Sequence, residues 1–207
     1  ACAPVLSPAH LRAYTLTFEE TDEINTDQVS SQLVTAGYRR CETVEGAGQF
    51  AVRGGILDVF PVNQEQPIRI ELFGDEIDTI RTFDVFTQLS IERIAKVTIP
   101  PARELLYSRE QGKVAAERIK QFCPEDGERL VEGSYFPSDD KYLPLFYKRL
   151  PLLSDYFGQE GLILLDQPAL LREKAENSAW EVHQAISMMI EQGKLGGVEQ
   201  NYCLEYD

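Results

Sequence analysis

The stretch that comes nearest to enzymatic chemistry is an apolar run, residues 162–165, that ends in Asp166 and Gln167. A buried strand ending in Asp-Glu supplies the Mg²⁺ ligand and the general base of helicase-type ATPases. Here the second position is Gln167, and an amide cannot act as a general base. The 207 residues contain no G-x-x-x-x-G-K-[ST] phosphate loop, and 193–197 is too short to replace one. We interpret 166–167 as a degenerate ATPase motif in which Asp166 caps a helix beginning at Pro168, and predict no ATP hydrolysis.

A second candidate for chemistry is a carboxylate cluster, Asp75, Glu76 and Asp78, on a predicted turn. It superficially resembles a glycosidase or metal site, but exposed turn acids are usually only solvated. The four cysteines show no C-x-x-C spacing, and two histidines are too few to complete a zinc site with them. The sequence therefore predicts no catalytic residue, no metal site and no cofactor.

The charge balance argues against a nucleic-acid-binding surface. The chain carries 34 acidic and 20 basic residues, a net charge of −14. Neutralising phosphates requires a basic excess, and neither half of the chain has one. Scattered cysteines, with no signal peptide or transmembrane run, favour a reducing, cytoplasmic location away from membranes.

The basic residues of the first half are nearly all arginines. Between residues 1 and 102, seven of eight basic residues are Arg, and Lys96 is the exception. Arginine offers a rigid fork of donors and is weakly hydrated, so it favours protein interfaces and paired carboxylates. This composition is a weak indication of a protein-binding surface.

The elements that must position these residues centre on residues 48–83. In 68–72, isoleucines and a leucine alternate with charged residues, the pattern of a half-buried strand. Gly74 favours a tight turn, and 77–83 returns as the next strand. Gly54 and Gly55 interrupt the run 48–61, as a bulge or sharp bend would.

Flanking segments complete the first half. We predict strands near 14–18, 38–44 and 91–99, and a helix after Thr26. Pro100-Pro101 breaks the chain, which predicts a domain over 1–102 and a second segment over 103–207. The sequence predicts an α+β fold: a mostly antiparallel sheet domain with a helix, followed by a smaller, helix-rich α/β segment.

The second half predicts different elements. Residues 108–123 favour a helix after a serine cap, and the Gly, Pro and Asp clusters in 124–141 predict a loop. The run 161–166 predicts a buried parallel strand whose neighbours lie outside the sequence, which would leave apolar surface exposed. A helix should begin at Pro168, and 202–206 should form a short strand.

Three blocks carry a resemblance to a known family. GQFAVRGGILDVFP (48–61), PIRIELFGDEIDTIRTFD (67–84) and TQLSIE (87–92) occur in order and with family-like spacing. They resemble the UvrB-homology module of the bacterial transcription-repair coupling factors, the Mfd family. The resemblance continues less densely through KYLPLFY (141–147), LLSDYF (152–157) and LILLDQP (162–168).

The resemblance implies a binding site for UvrA on the sheet domain. UvrB residues that bind UvrA match five positions here: Arg39, Arg53, Arg69, Glu71 and Leu72. UvrB has a further arginine where this chain has Ala51, so one charged contact should be absent and the affinity lower. UvrB has an aromatic residue at position 72, so Leu72 should be a weaker anchor. We expect the charged residues to form an exposed patch, with residues 68 and 70 in the core and Leu72 partly accessible near a sheet edge.

The resemblance also implies a role in DNA repair. The fragment would recruit UvrA, and so nucleotide excision repair, to stalled RNA polymerase. The parent would be an ATP-dependent DNA translocase that contacts RNA polymerase and DNA through other regions, and another of its domains could cover the UvrA-binding face. Two alternatives stay open: a piece of a UvrB-type ATP-dependent helicase, against which Gln167 argues, and an autoinhibitory structural module.

Overall fold

The computed structural model describes residues 5–133, 136, 139–147, 152–157 and 161–196. The chain divides into two compact units. The first unit runs from Ala9 to Leu106, and the second contains the described residues from Tyr107 onward together with residues 5–8. We describe each unit separately.

The first unit is built on two antiparallel sheet systems. Its eight strands are β1 (Leu16–Glu19), β2 (Arg39–Arg40), β3 (Gln49–Arg53), β4 (Ile56–Val59), β5 (Ile68–Phe73), β6 (Glu76–Phe83), β7 (Ser90–Arg93) and β8 (Lys96–Ile99). Strands β2 to β7 form a six-stranded sheet in sequence order, with only the β2–β3 pair parallel. Strands β1 and β8 pair antiparallel in a second sheet. With helices α1 (Pro8–Tyr14) and α2 (Thr26–Thr35), this confirms the predicted α+β class.

Two glycine turns connect the central strands. Gly54 has φ +58° and follows Arg53, which pairs with Ile56 across the turn between β3 and β4. Gly74 has φ +68° in the matching turn between β5 and β6. A two-residue hairpin loop needs positive φ, which glycine adopts without steric cost. Residues 48–61 therefore form two strands joined by a tight turn, which confirms the sharp bend and not the bulge of the two predicted alternatives.

The core of the first unit lies against one face of the six-stranded sheet. The isoleucines of β5 and β6 are fully buried there, together with Phe50 and Leu57. Helix α2 covers this face with Val29 and Leu33, and its N-cap Asn25 accepts a hydrogen bond from the Gln28 amide at 2.9 Å. Burying this alternating apolar face supplies the main driving force for folding the sheet.

The second unit is helical in its described part. It contains α3 (Arg109–Ile119), α4 (Pro124–Glu132), α5 (Leu143–Phe146), α6 (Pro168–Glu191) and two 3-10 turns, Asp139–Tyr142 and Leu153–Tyr156. Ser108 and Gln111 form a capping box at the start of α3, which confirms the predicted serine cap. Helix α3 packs closely on α4: a Cβ added at Gly112 would lie 2.5 Å from the Leu130 carbonyl oxygen.

Several predicted elements are wrong. Residues 161–166 form no strand, and their side chains are exposed. Residues 124–132 form α4 rather than a loop, because Pro124 occupies the first helical turn, where proline is tolerated. The strand predicted over 38–44 is only two residues long, and 91–99 contains two strands.

Helix α6 begins at Pro168 as predicted, while the strand predicted at 202–206 lies outside the described residues. None of the described helices is long and apolar enough to cross a membrane.

Candidate interaction surface

The charged residues of the first unit lie on the sheet face opposite its core, which we call the outer face. The strand register aligns Ala51, Asp58, Arg69, Arg81 and Arg93 in one line across β3 to β7. Residues directly opposite in antiparallel pairs project to the same face of a sheet. The last three are adjacent to one another, and we call them the arginine row.

Asp58 is the buried acid of this line, between Ala51 and Arg69. Its side chain is 1% exposed. Arg69 donates to both of its oxygens, from Nε to Oδ1 at 2.7 Å and from Nη2 to Oδ2 at 2.9 Å. Arg53 adds a third hydrogen bond, from Nη2 to Oδ2 at 2.8 Å. Three charge-assisted bonds satisfy a carboxylate that has been removed from water.

Arg69 is largely buried, contrary to the expectation that it is exposed. Its side chain is 14% exposed because the guanidinium lies over the Phe83 ring, 4.4 Å from the ring centroid, and beneath the loop that contains Gln88. Arg69 donates from Nη2 to Oε1 of Gln88 at 3.1 Å. The hydrogen bonds to Asp58 raise the pKa of Arg69, outweighing the opposite effect of burial. Arg69 is therefore a fixed cation within the outer face.

The other two matched arginines are more accessible. The Arg53 side chain is 47% exposed although it bonds to Asp58. Arg39 is exposed in β2 and pairs with Gln49, which has the same strand parity as Ala51 and Arg53. The structure therefore places Arg39 and Arg53 on the same outer face as Arg69, with Arg53 sharing Asp58 with it and Arg39 three strands away.

The two remaining matched residues differ from each other. Glu71 lies on the outer face and accepts a hydrogen bond from the Thr79 hydroxyl at 2.8 Å. Leu72 is half-buried and packs against the core, whereas Ile68 and Ile70 are fully buried within it. The strand register shifts between Glu71 and Leu72, so the regular alternation is broken between them. Leu72 is partly accessible from the core side, and the structure does not bring it onto the outer face with the arginines.

Sequence reasoning missed two residues of the outer face, Arg81 and Arg93. Arg93 is exposed and bonds from Nε to Oε1 of Glu20 at 2.7 Å, and this contact raises the pKa of Arg93. The Nε atom of Arg81 is buried and has no hydrogen-bond partner among the residues that the structure describes. The available signal was arginine composition, but only the strand register could bring these residues beside Arg69.

The residues predicted to form a degenerate ATPase motif, Asp166 and Gln167, belong to the second unit. Asp166 is exposed, and Gln167 is the residue before α6, with φ +52° and no capping hydrogen bond from its side chain. This corrects the interpretation of Asp166 as the helix cap, since the N-cap position falls one residue later. In the described part of the chain, no group of three His, Cys, Asp or Glu side chains could hold a metal ion.

Comparison with known proteins shows that most of the first unit matches a known domain family. Residues 16–105 match the family model of the UvrB interaction domain. The chain is 35% identical, over 84% of its length, to the transcription-repair-coupling factor of Bacillus subtilis, of which it covers 16%. It is 32% identical to the factors of Staphylococcus aureus (strain MRSA252) and Haemophilus influenzae, over 98% and 76% of its length and 19% and 14% of theirs. The chain spans less than a fifth of the curated relatives it matches.

Proposed function

Because residues 16–105 belong to the UvrB interaction domain family and the chain is homologous to a segment of the transcription-repair-coupling factors, we propose that this chain binds UvrA. The binding surface is the outer face, with Arg39, Arg53, Arg69 and Glu71 as its matched residues and Leu72 as a supporting residue behind them. Residues 1–102 form the UvrA-binding domain, and 103–207 form the rest of a UvrB-like module. Binding recruits nucleotide excision repair to stalled RNA polymerase in the bacterial cytoplasm.

The observation that carries this proposal is the charge of the outer face. Its strands present five arginines, two of them outside the matched set, against three strand carboxylates, Asp58, Glu71 and Glu76, and against Glu20, which bonds to Arg93. The chain as a whole has a net charge of −14. A local basic excess on an acidic protein attracts an acidic partner and orients it during encounter. Asp58 offsets the charge of Arg53 and Arg69, and Glu20 offsets that of Arg93, so the uncompensated basic charge of the face lies mainly at Arg39 and Arg81.

The proposal assigns no ATP hydrolysis to this chain. The motif at 166–167 lacks the acidic general base, and no phosphate loop precedes it in the sequence. RNA polymerase, DNA and the translocase activity of the parent protein belong to regions outside these residues.

The test is capture of purified bacterial UvrA by the chain and its variants. Arg53→Ala should weaken binding about tenfold, a common loss for an interface arginine. Arg53→Glu should weaken it further, because it adds repulsion to an acidic partner surface. Arg118→Ala is the matched control, since Arg118 is an exposed arginine of α3 in the second unit. Normal UvrA binding by both Arg53 variants would show that the site is misplaced.

A further inference from the structure

The arginine row contains an unusual juxtaposition of like charges. Arg81 of β6 lies directly opposite Arg69 on one side and Arg93 on the other. Like charges directly opposite in a sheet destabilise it unless counter-charges are supplied. Arg69 and Arg93, at the two ends of the row, have such counter-charges in Asp58 and Glu20 respectively.

Arg81, in the middle, has no such partner. Its side chain forms no hydrogen bond or ion pair with any residue in the described ranges, and its Nε atom is buried. Glu20 feels the charge of Arg81, but its carboxylate bonds to Arg93. Asp78 also lies within the electrostatic reach of Arg93. The acids near the row therefore engage its two ends, Asp58 at Arg69 and Glu20 at Arg93, and the guanidinium of Arg81 in the middle keeps donors for an anion.

An ordered apolar loop borders the row. In residues 84–89, Oδ1 of Asp84 accepts hydrogen bonds from the amides of Phe86 and Thr87 at 3.1 and 2.7 Å. Gln88 of the same loop binds Arg69. The Phe86 side chain is nevertheless 94% exposed, and Leu89 is exposed as well. The hydrogen bonds hold the backbone of this loop, while the side chains of Phe86 and Leu89 remain available to a partner. Apolar neighbours that exclude water from a charged contact are typical of an interface hot spot.

We propose that Arg81 binds a carboxylate of UvrA, an Asp or Glu side chain that enters the arginine row with Phe86 packed beside it. This inference rests on the proposed function and names the chemistry of the partner surface. The carboxylate accepts from the free donors of Arg81 and offsets the repulsion from Arg69 and Arg93. A protein carboxylate fits better than a nucleic-acid phosphate, because duplex binding requires a basic excess over a wide surface and this chain has a net charge of −14.

The experiment compares UvrA affinity and stability for Arg81→Gln, Arg81→Lys, Phe86→Ser and the control Arg40→Gln. Arg40 is an exposed arginine of β2 whose strand parity places it opposite Arg39. Arg81→Gln should weaken binding about tenfold, and Arg81→Lys should bind with intermediate affinity because it keeps the charge but loses the fork. Phe86→Ser should also weaken binding, and Arg40→Gln should bind as the unaltered chain does.

Stability separates binding from a structural role. Arg81→Gln should leave the unfolding midpoint unchanged or raise it, because it removes repulsion within the row. A lower midpoint together with weaker binding would mean that Arg81 is structural, and the inference fails. If Arg81→Gln binds normally while Arg53→Glu does not, the proposed function stands and the inference falls. If the unaltered chain does not capture UvrA, the proposed function itself fails.

A charge swap and a DNA titration identify the ligand. Arg81→Glu should abolish binding, and replacing the correct UvrA carboxylate by Arg should restore it. Absence of any restoring substitution across the acidic residues of the UvrA interface would overturn the inference. Saturable binding of a short DNA duplex that Arg81→Gln removes would assign the site to phosphate and would also overturn it.

Discussion

Arg69 holds Asp58 through two parallel hydrogen bonds, at 2.7 and 2.9 Å, beneath the outer face of the sheet. Because the acid is buried, it acts as an internal anchor that fixes the direction of the guanidinium. Arg53 shares one oxygen of the same anchor but remains about half exposed. Asp58 thus fixes the orientation of Arg53 and Arg69, the two arginines that correspond to partner-binding residues of UvrB. This preorganisation lowers the entropy lost on binding.

The first prediction concerns the anchor itself. Asp58→Ala should lower the free energy of unfolding of the first unit by about 3 kcal/mol, because it leaves the largely buried Arg69 without its counter-charge. It should also weaken UvrA capture, since both arginines lose their fixed orientation. Hydrogen exchange of the β4 and β5 amides measures the first effect, because it reports on this unit alone.

An exposed ion pair provides the control for that prediction. Lys96→Ala breaks the contact between Lys96 and Glu19, both of which are more than half exposed on their side chains. Surface pairs contribute little, so exchange of the same amides should not change. Equal effects of the two substitutions would contradict the anchor role of Asp58.

Much of the sheet could be predicted from sequence because its patterns are local. Alternation in 68–72 and the glycine of the following turn predict β5, its hairpin and β6. The apolar run at 161–166 shows the limit, since periodicity alone does not reveal whether other strands are available to pair with it. Helix α4 is hard to predict because Pro124 and Gly127 are residue types typical of loops, although proline suits the first helical turn and glycine lets α4 approach its neighbour.

The arginine row could not be predicted from sequence, for a geometric reason. If β5 and β6 paired without irregularity from the two-residue turn after Phe73, Ile80 would lie opposite Arg69. The register shift between Glu71 and Leu72 moves the pairing by one residue, so that Arg81 takes that position. A one-residue slip exchanges the two faces of a strand, and nothing in the local sequence marks this irregularity.

A second prediction follows from Tyr38. Burial raises the pKa of this phenol to about 12, and its hydroxyl donates to the Pro100 carbonyl at 2.7 Å. Because the folded pKa is above the ordinary value of 10.0, the contribution of Tyr38 to stability is complete below pH 10 and is lost as the pH rises towards 12. The loss should reach roughly 2 kcal/mol across this window.

The measurement compares unfolding at a series of pH values for the unaltered chain and Tyr38→Phe. The variant should lose about 1 kcal/mol at neutral pH through the missing hydrogen bond, and its stability should fall less between pH 10 and 12. Parallel pH profiles for the two proteins would show that Tyr38 ionises equally in the folded and unfolded states.

A third prediction tests the contact between α3 and α4. Gly112→Ala should destabilise the second unit by about 1–3 kcal/mol, because the added methyl group meets the backbone carbonyl of Leu130 at 2.5 Å and the Tyr107 ring at 2.9 Å. Hydrogen exchange of the α3 and α4 amides measures this, because it reports on the two helices directly. Gly46→Ala is the control, since its Cβ would have no neighbour within 4 Å. A stable Gly112 variant would show that the two helices can separate without cost.

The last prediction concerns the apolar residues before α6. Leu162 and Leu164 are 82% and 83% exposed, and Ile163 and Leu165 are also exposed. Four consecutive aliphatic side chains in water form a surface that binds hydrophobic dyes and favours self-association. The chain should therefore enhance the fluorescence of such a dye and sediment as more than a monomer at high concentration. The double substitution Leu162→Ser with Leu164→Ser should reduce both signals, whereas Glu173→Ser on the exposed side of α6 should leave them unchanged. A chain that neither binds dye nor associates would show that these side chains are covered in solution.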